Sequence, residues 1–268
     1  MIKEIYSFEL YEEFIKSFSG DPVFADPHFE FDNGNLYNSL RKKNHIAYIV
    51  MEGEKICGLF VWLILPDENY IEMLIGLSKE EESIQEMITF IENEYKDYKL
   101  DFVLNPQHNL FYNLLKSKNA KFEEEQQWMA WEKEINNQYQ HEIVLLTQEY
   151  EVQYIDKHNK DTYWTAEKVI EAKDRFRILL AIHEKRVVGY IDVTYCFDKN
   201  EPYDLWVDNE FKDMGYEQAL IQAATKMNEP NKMMVLVDIN NSVEIEMFKS
   251  VGFVPVIGTN SVYATYKS

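Results

Sequence analysis

The segment whose residues are best suited to bind a ligand runs from an apolar strand at 205–207 through a loop at 212–217 into a helix. Backbone N–H groups in such a loop, together with the positive end of the helix, point toward an anion such as a phosphate. Lys212 adds a cation and Gly215 adds backbone freedom, whereas Asp213 and Glu217 add negative charge. The segment predicts an anion-binding loop, although a plain helix start would also account for the glycine.

A second motif lies at 241–253, which reads Asn-Ser-Val-Glu-Ile-Glu-Met-Phe-Lys-Ser-Val-Gly-Phe. It resembles the Asn-x-x-Ala-x-x-x-Tyr-x-x-x-Gly-Phe helix of the GNAT acetyltransferase superfamily. The first segment resembles the strand, the Pro-Glu-Tyr-like turn and the Arg/Gln-x-x-Gly-x-Gly/Ala loop of the same superfamily. Because both motifs occur in the family order, residues 140–268 resemble a GNAT domain. The positions of the second motif that fall in register are Asn241, Phe248, Gly252 and Phe253.

The resemblance implies that acetyl-CoA is the cosubstrate. Backbone groups of the strand would hold its pantetheine arm, and the loop would hold its pyrophosphate. Asn241 would bond the pantetheine or the acceptor region, or would cap the helix that follows it. The predicted cofactor-binding residues are Leu205, Trp206, Val207, Lys212, Asp213, Met214, Gly215, Tyr216, Glu217, Asn241 and Phe248.

The resemblance also implies a general base, because an alkylammonium acceptor must lose a proton before it attacks a thioester. Glu201 and Asp204 are the carboxylates nearest to the expected acyl site. Pro202 beside Glu201 suggests a turn, which favours a solvated charge at Glu201 over a catalytic base. Phe248 stands where many members of the family have a proton-donating tyrosine, so Tyr263 is a candidate replacement, unless it serves only in packing. The predicted catalytic residues are Glu201, Asp204 and Tyr263.

The pattern around these residues predicts a mixed α/β fold of the α+β kind. The segments 177–182 and 187–197 are apolar and joined by a charged turn, which predicts an antiparallel hairpin. A helix is predicted from Tyr216 to about Met227, then a buried strand at 234–237 and a helix at 242–251. Closing strands are predicted at 254–257 and 262–266.

The two halves of the chain resemble each other. Gly58 and Gly189 open similar strands 131 positions apart, and Phe122 and Phe253 share the same offset, as in a duplicated domain. The polar stretch at 134–140 predicts a linker. We therefore expect two GNAT-like domains, 1–136 and 137–268, each a mixed, mostly antiparallel sheet flanked by helices. At the same offset the anion-binding loop becomes an acidic segment at 80–86, so the N-terminal domain is predicted to be degenerate.

Composition excludes other classes of protein. The net charge of −20 opposes binding to nucleic acid. No apolar run is long enough for a membrane span and no signal peptide is recognisable, so a cytoplasmic location is expected. Cys57 and Cys196 each lie in an apolar segment and are predicted to be buried thiols, and no metal site is expected.

The predicted function is transfer of an acetyl group from acetyl-CoA to an amine of a small molecule or peptide. The alternative is a non-catalytic acyl-CoA-binding or interaction protein of the same fold. Neither nucleic acid nor membrane is an expected partner, and assembly as a homodimer stays open.

Overall fold

The computed structural model describes residues 1–29, 35–132, 139–197 and 199–268. Contacts divide the chain into two compact units. The N-terminal unit comprises Met1–Gln126 and Ile257–Ser268, and the C-terminal unit comprises Gln127–Val256. The predicted domain boundary at residues 136 and 137 lies outside the described residues. No helix in the described ranges is long and apolar enough to cross a membrane.

The N-terminal unit is built on a seven-stranded sheet. Its strands β4 and β5 are parallel, and its other neighbouring strands are antiparallel. The strands are β1 Ile2–Ile5, β2 His45–Glu52, β3 Lys55–Leu65, β4 Tyr70–Ser78, β5 Lys99–Leu104, β6 Lys121–Phe122 and β15 Val262–Lys267, in the order β1-β2-β3-β4-β5-β15-β6. The helices are α1 Glu12–Lys16, α2 Asn35–Ser39, α3 Glu81–Glu94 and α4 Asn109–Ser117.

Both faces of this sheet are covered by apolar side chains. Helix α3 buries Ile84, Ile88 and Ile91, which recur at helical spacing and therefore lie on one side of the helix. They join a core that contains Trp62 of β3. Alternate residues of the same strand, such as Val61, point into a second core on the opposite face.

The C-terminal unit contains two four-stranded sheets. The first has β8 Glu142–Leu145, β9 Phe176–His183, β10 Arg186–Thr194 and β12 Pro202–Val207, in the order β12-β10-β9-β8. The second has β7 Gln126–Trp131, β11 Lys199–Asn200, β13 Lys232–Asp238 and β14 Phe253–Pro255, in the order β11-β13-β7-β14. The helices are α5 Glu151–Lys157, α6 Ala166–Glu171, α7 Tyr216–Asn228 and α8 Ser242–Ser250.

The antiparallel hairpin predicted from the charged turn is confirmed as β9 and β10. Its two turn residues, Glu184 and Lys185, have φ angles of 47° and 65°, the left-handed values that a two-residue turn needs to follow the strand twist. One face of this hairpin packs on α7 through Val188 and Leu220. The other face packs on α5 and forms a separate core around Tyr154.

The prediction that 262–266 closes the C-terminal domain is wrong. These residues form β15, which lies between β5 and β6 in the N-terminal unit and pairs with β5 over its whole length. Val262 and Ala264 are buried in the core of that unit. The corresponding position in the C-terminal sheet is filled by β7, which comes from the preceding half of the sequence. Strand pairing depends on open sheet edges and buried faces rather than on nearness in sequence.

The two cysteines differ in environment. Cys57 is buried on β3, as predicted, and its thiol donates to the carbonyl of Lys55. Cys196 is exposed, because β10 ends at Thr194 and the chain leaves the sheet before the cysteine. The prediction of a buried thiol at Cys196 is therefore wrong.

Candidate active site

A cleft opens in the C-terminal unit where β12 and β13 separate into different sheets. Strand β11 pairs in parallel with the start of β13, and the chain then crosses at Glu201 and pairs with β10 as β12. The cleft has a volume of about 660 Å³. It is lined by Pro202, Tyr203, Asp204, Leu205, Trp206, Val207, Asn209, Lys212, Glu217, Val235, Leu236, Asn241, Val243, Glu244, Met247 and Phe248.

Buried amides hold this crossing in place. The side chain of Asn200 donates to the carbonyl of Phe197 at 2.8 Å and to Oδ1 of Asn228 at 2.9 Å. The backbone N–H of Glu201 donates to the Thr194 hydroxyl at 2.8 Å, while the Thr194 N–H donates to the Glu201 carbonyl. Because these bonds pair the polar groups at the crossing, β12 and β13 can diverge without leaving those groups buried and unpaired.

Divergence leaves two strand edges uncovered. Among the described residues, β12 is the edge strand of its sheet, and β11 covers β13 at Lys232 and Met233 alone. Backbone N–H and C=O groups of both strands are therefore available along the cleft. The residues predicted to hold a pantetheine arm, Leu205, Trp206 and Val207, all lie here.

The predicted anion-binding loop lies between a short 3-10 turn at Asn209–Phe211 and α7. Lys212 and Glu217 line the cleft. Asp213 has a φ of 62°, so it adopts a left-handed backbone that aspartate tolerates better than most residues. Asp213 thus has a conformation that glycine would accept without strain. Met214 is exposed, and its carbonyl lies 2.9 Å from Nε2 of His141.

Gly215 and Tyr216 turn into the protein and do not line the cleft. A Cβ atom on Gly215 would lie 2.7 Å from the ring of Tyr139, and the φ of Gly215 is 84°. The buried ring of Tyr216 stacks on His141 at 3.8 Å, and its hydroxyl hydrogen-bonds Nδ1 of His183 at 3.1 Å. Close packing against Tyr139 is therefore a sufficient reason for glycine at position 215, without any ligand.

Replacing Gly215 by Ala is expected to lower the unfolding free energy by about 2–4 kcal/mol, from left-handed strain plus overlap with Tyr139. Gly258→Ala is the matched control, because Gly258 has a similar φ of 81° and no atom within 4 Å of an added Cβ. It should cost only the strain, about 1–2 kcal/mol. Urea unfolding measures both changes. Equal losses would show that the Tyr139 contact is unimportant.

Helix α8 supplies two predicted residues to the cleft wall. Asn241 caps the helix, since its Oδ1 accepts from the Glu244 N–H at 3.2 Å and its amide donates to the Glu244 carboxylate at 2.9 Å. Phe248 is only 2% exposed and packs edge-on against Phe253 at 5.2 Å. The capping role of Asn241 is thus visible, and Phe248 closes the apolar floor of the cleft.

The three predicted catalytic residues lie in different places. Asp204 lines the cleft and accepts a hydrogen bond from the Tyr190 hydroxyl at 2.8 Å. Glu201 lies at the strand crossing, outside the cleft lining, and burial raises the pKa of its carboxyl. Tyr263 lies on β15 in the N-terminal unit, where its hydroxyl accepts from Lys99. Its expected position on a strand of the C-terminal domain is wrong, because β15 belongs to the other sheet.

A buried polar cluster behind Asp204 was not predicted. The Tyr154 hydroxyl lies 2.9 Å from both carboxylate oxygens of Asp192, and Nε2 of His158 lies 2.9 Å from Oδ2 of Asp192. Burial raises the pKa of Asp192, and burial together with the charge of Asp192 raises the pKa of Tyr154. One signal was present in the sequence: an aspartate inside the apolar run 187–193.

The corresponding strand edge of the N-terminal unit is occupied by its own residues. β4 pairs with β5 from Tyr70 to Met73. Beyond that point the Gly76 N–H donates to the buried Asp26 carboxylate at 2.7 Å, and Nδ1 of His28 lies 3.2 Å from the Leu74 carbonyl. These bonds satisfy backbone groups that a ligand would otherwise meet, and the degeneracy of this domain stays a prediction.

Comparisons with known proteins agree with this architecture. Residues 143–253 match the model of the acetyltransferase (GNAT) family. A tandem GNAT protein from the clavulanic acid biosynthesis pathway superposes with a TM-score of 0.56 at 11% identity, covering 100% of this chain and 98% of the other. A GNAT-family acetyltransferase from Colwellia psychrerythraea gives 0.55 at 13% identity, with 100% of both chains covered. A GCN5-related N-acetyltransferase from Sphaerobacter thermophilus gives 0.62 at 10% identity, covering 90% and 88%.

Residues 143–253 form a GNAT-family domain, and the fold of the chain as a whole is that of tandem GNAT proteins. The chain is a GNAT superfamily member with two domains, and its C-terminal half carries the segment that matches the family. Both the predicted superfamily and the predicted fold class are confirmed. A search of the curated proteins found no match to the sequence.

Proposed function

We propose that the C-terminal unit transfers an acetyl group from acetyl-CoA to the amine of a small molecule or peptide. The observation that carries this proposal is the cleft between the uncovered edges of β12 and β13, which has a carboxylate, Asp204, in its wall. The family match supports acyl transfer in general. That the transferred acyl group is acetyl and that the acceptor is an amine are the parts that we propose.

The residues along the cleft fit acetyl-CoA. The uncovered edges of β12 and β13 offer backbone partners to the amides of a pantetheine arm. Lys212 and the start of α7 offer positive charge to phosphates. The carboxylate of Glu217 would repel these phosphates, so the affinity for acetyl-CoA would depend on the charge of Lys212. When bound, acetyl-CoA supplies the acetyl group as an activated thioester.

Asp204 is the general base in this proposal. It would accept a proton from the acceptor ammonium, so that a neutral amine can attack the thioester carbonyl. The amide C–N bond would form as the thioester C–S bond breaks, and CoA would leave as a thiolate that takes a proton from water. The Tyr190 hydroxyl donates to Oδ2 of Asp204 and fixes the direction of the carboxylate. The Asp204 side chain is 24% exposed, so it remains accessible from solvent.

A second candidate function is acyl-CoA binding without turnover. It is favoured by Phe248, whose buried ring has no proton for a departing thiolate, and by the acidic Glu217 in the cleft. Calorimetric titration with acetyl-CoA tests binding, and release of free thiol in the presence of a panel of amines tests turnover. Binding without thiol release would favour this second function over catalysis.

Lys212→Glu is expected to weaken acetyl-CoA binding roughly ten- to thirtyfold, because a cation near the phosphates becomes an anion. Lys249→Glu is the matched control: Lys249 lies on α8, pairs with Glu246 at 2.8 Å and does not line the cleft. It should leave the dissociation constant nearly unchanged. Equal weakening in both variants would mean that only net charge matters, and the assigned phosphate site would be wrong.

A further inference from the structure

Two carboxylates face each other in the sheet behind the cleft. Asp192 of β10 and Asp204 of β12 are direct partners in the antiparallel register, so their side chains lie on the same face. The side chain of Asp192 is completely buried and that of Asp204 is 24% exposed. Like charges in directly opposed positions destabilise a sheet, and more so when they are buried. Either a proton on one carboxyl or a compensating cation relieves this repulsion.

His158 is placed to be that cation. Its Nε2 lies 2.9 Å from Oδ2 of Asp192 and 3.8 Å from Oδ2 of Asp204. Its Nδ1 lies 2.9 Å from the carbonyl of Asn159, which can only accept, so Nδ1 carries a proton. The Tyr154 hydroxyl already donates to Asp192, which therefore acts as an acceptor. An ionised Asp192 can only accept, so with Asp192 ionised Nε2 donates as well and the ring is an imidazolium.

The same three side chains offer ligand atoms within 4.8 Å of one another, so a metal ion is the alternative occupant. Two ligands of a tetrahedral ion with bonds of about 2.0–2.1 Å would lie roughly 3.3 Å apart. The 2.9 Å between Nε2 and Asp192 is instead the length of a charge-assisted hydrogen bond. The distance therefore favours a hydrogen bond between His158 and Asp192 over a metal ion bound by both.

Tyr190 connects this pair to the cleft. Its ring is nearly parallel to that of His158, with centroids 5.3 Å apart, and its hydroxyl donates to Asp204 at 2.8 Å. The Tyr190 ring also stacks with that of Trp206, a cleft residue, with the ring centroids 5.8 Å apart. A change in the His158 ring would therefore move the group that orients Asp204.

We propose that His158 and Asp192 form a buried ion pair that positions the Asp204 carboxylate for proton transfer, through charge compensation and through the Tyr190 ring. His158 and Asp192 are thus positioning residues. Neither of these side chains lines the cleft. The inference rests on the proposed function, in which Asp204 is the general base.

The charge on His158 also predicts a pH dependence of stability. The groups that face His158 are Tyr154 of α5, Tyr190 and Asp192 of β10, and Asp204 of β12, and Glu167 of α6 interacts with it over a longer distance. Burial lowers the pKa of His158, but the hydrogen bond and charge of Asp192 outweigh it and leave the pKa raised. The stabilisation is therefore fully present below the unfolded pKa of about 6.5 and is lost as the pH rises through the folded value.

The test compares His158→Gln, Asp192→Asn and the double variant in the full chain. Each single variant leaves one buried partner uncompensated, so both should lower the melting temperature, and the double variant should recover much of that loss. All three should lower kcat about a hundredfold, because the base is misplaced. The dissociation constant for acetyl-CoA should stay unchanged. His45→Gln in the N-terminal unit is the control for loss of a histidine and should keep normal turnover.

Three outcomes would overturn the proposal. A double variant with recovered stability and normal kcat would make the pair purely structural. A wild-type activity that disappears after chelation and returns with zinc would assign the cluster to a metal ion. If the wild type bound acetyl-CoA but released no thiol with any amine, the proposed function and the positioning role would fail together. The ion pair itself would still appear in that case as a pH dependence of unfolding that His158→Gln removes.

Discussion

Replacing Asp204 by Asn is expected to lower kcat by about 10²–10⁴, the range typical for loss of a positioned general base. The amide is close in size to the carboxylate and can still accept from the Tyr190 hydroxyl. It cannot accept the proton of an acceptor ammonium at neutral pH. Since the pantetheine and phosphate contacts proposed for the cleft come from other residues, the dissociation constant for acetyl-CoA should barely change.

The measurement is steady-state thiol release with a saturating amine, together with calorimetric titration of acetyl-CoA on the same preparation. Asp208→Asn is the matched control, because Asp208 follows β12 directly, makes the same carboxylate-to-amide change and lies outside the cleft lining. Its oxygen accepts from the Glu210 N–H, which an amide oxygen can also do. Full activity in Asp204→Asn would remove Asp204 as the base and leave Glu201 as the next candidate.

An alkaline pH should restore part of the activity lost in Asp204→Asn, because more of the acceptor is then already deprotonated. This recovery distinguishes a missing base from a distorted cleft. A variant that stays equally slow at every pH would indicate that the substitution has altered the position of β12 instead.

Local features of the site were predictable from the sequence because neighbouring residues determine them. The hairpin of β9 and β10 follows from two apolar runs around a charged turn, and the strand-loop-helix order follows from Leu205 to Leu220. Asn241 is a good helix cap wherever a helix begins after it. These residues carry their structural signal within a few positions, and Asp204 lies on β12, the strand predicted for it.

The buried cluster could not be predicted in this way. Tyr154 and His158 are separated from Asp192 by 38 and 34 positions, and only the packing of α5 on β10 brings them together. A histidine and a tyrosine four residues apart are also common on exposed helices. Asp192 inside an apolar strand was the one anomaly, since an ionised side chain is rarely buried without a partner. Its partner could not be named without the fold.

The exchange of closing strands was missed for a related reason. Strands β7 and β15 are both short and apolar on one face, so the sequence permits either to complete either sheet. What decides between them is fit to a particular core. Ala264 is fully buried between Phe102 of β5 and Phe122 of β6, and Tyr266 stacks in parallel on Phe102 at 5.8 Å. Periodicity alone does not contain that information.

Replacing Ala264 by Glu is expected to destabilise the N-terminal unit by more than about 4 kcal/mol, because a larger side chain and an unpaired charge enter a closed core. Lys267→Gln on the same strand is the control: Lys267 is exposed and 3.6 Å from Asp97, so its loss should cost less than about 1 kcal/mol.

Amide hydrogen exchange read by mass spectrometry locates the damage. Protection should fall in β3, β4 and β5, which share the core with Ala264, and should persist in β9 and β10, whose cores contain no residue of β15. Loss of protection in β9 and β10 with β3 intact would place the last strand in the C-terminal sheet, as the sequence alone suggested. The strand exchange would then be wrong, and with it the assignment of Tyr263 to the N-terminal unit.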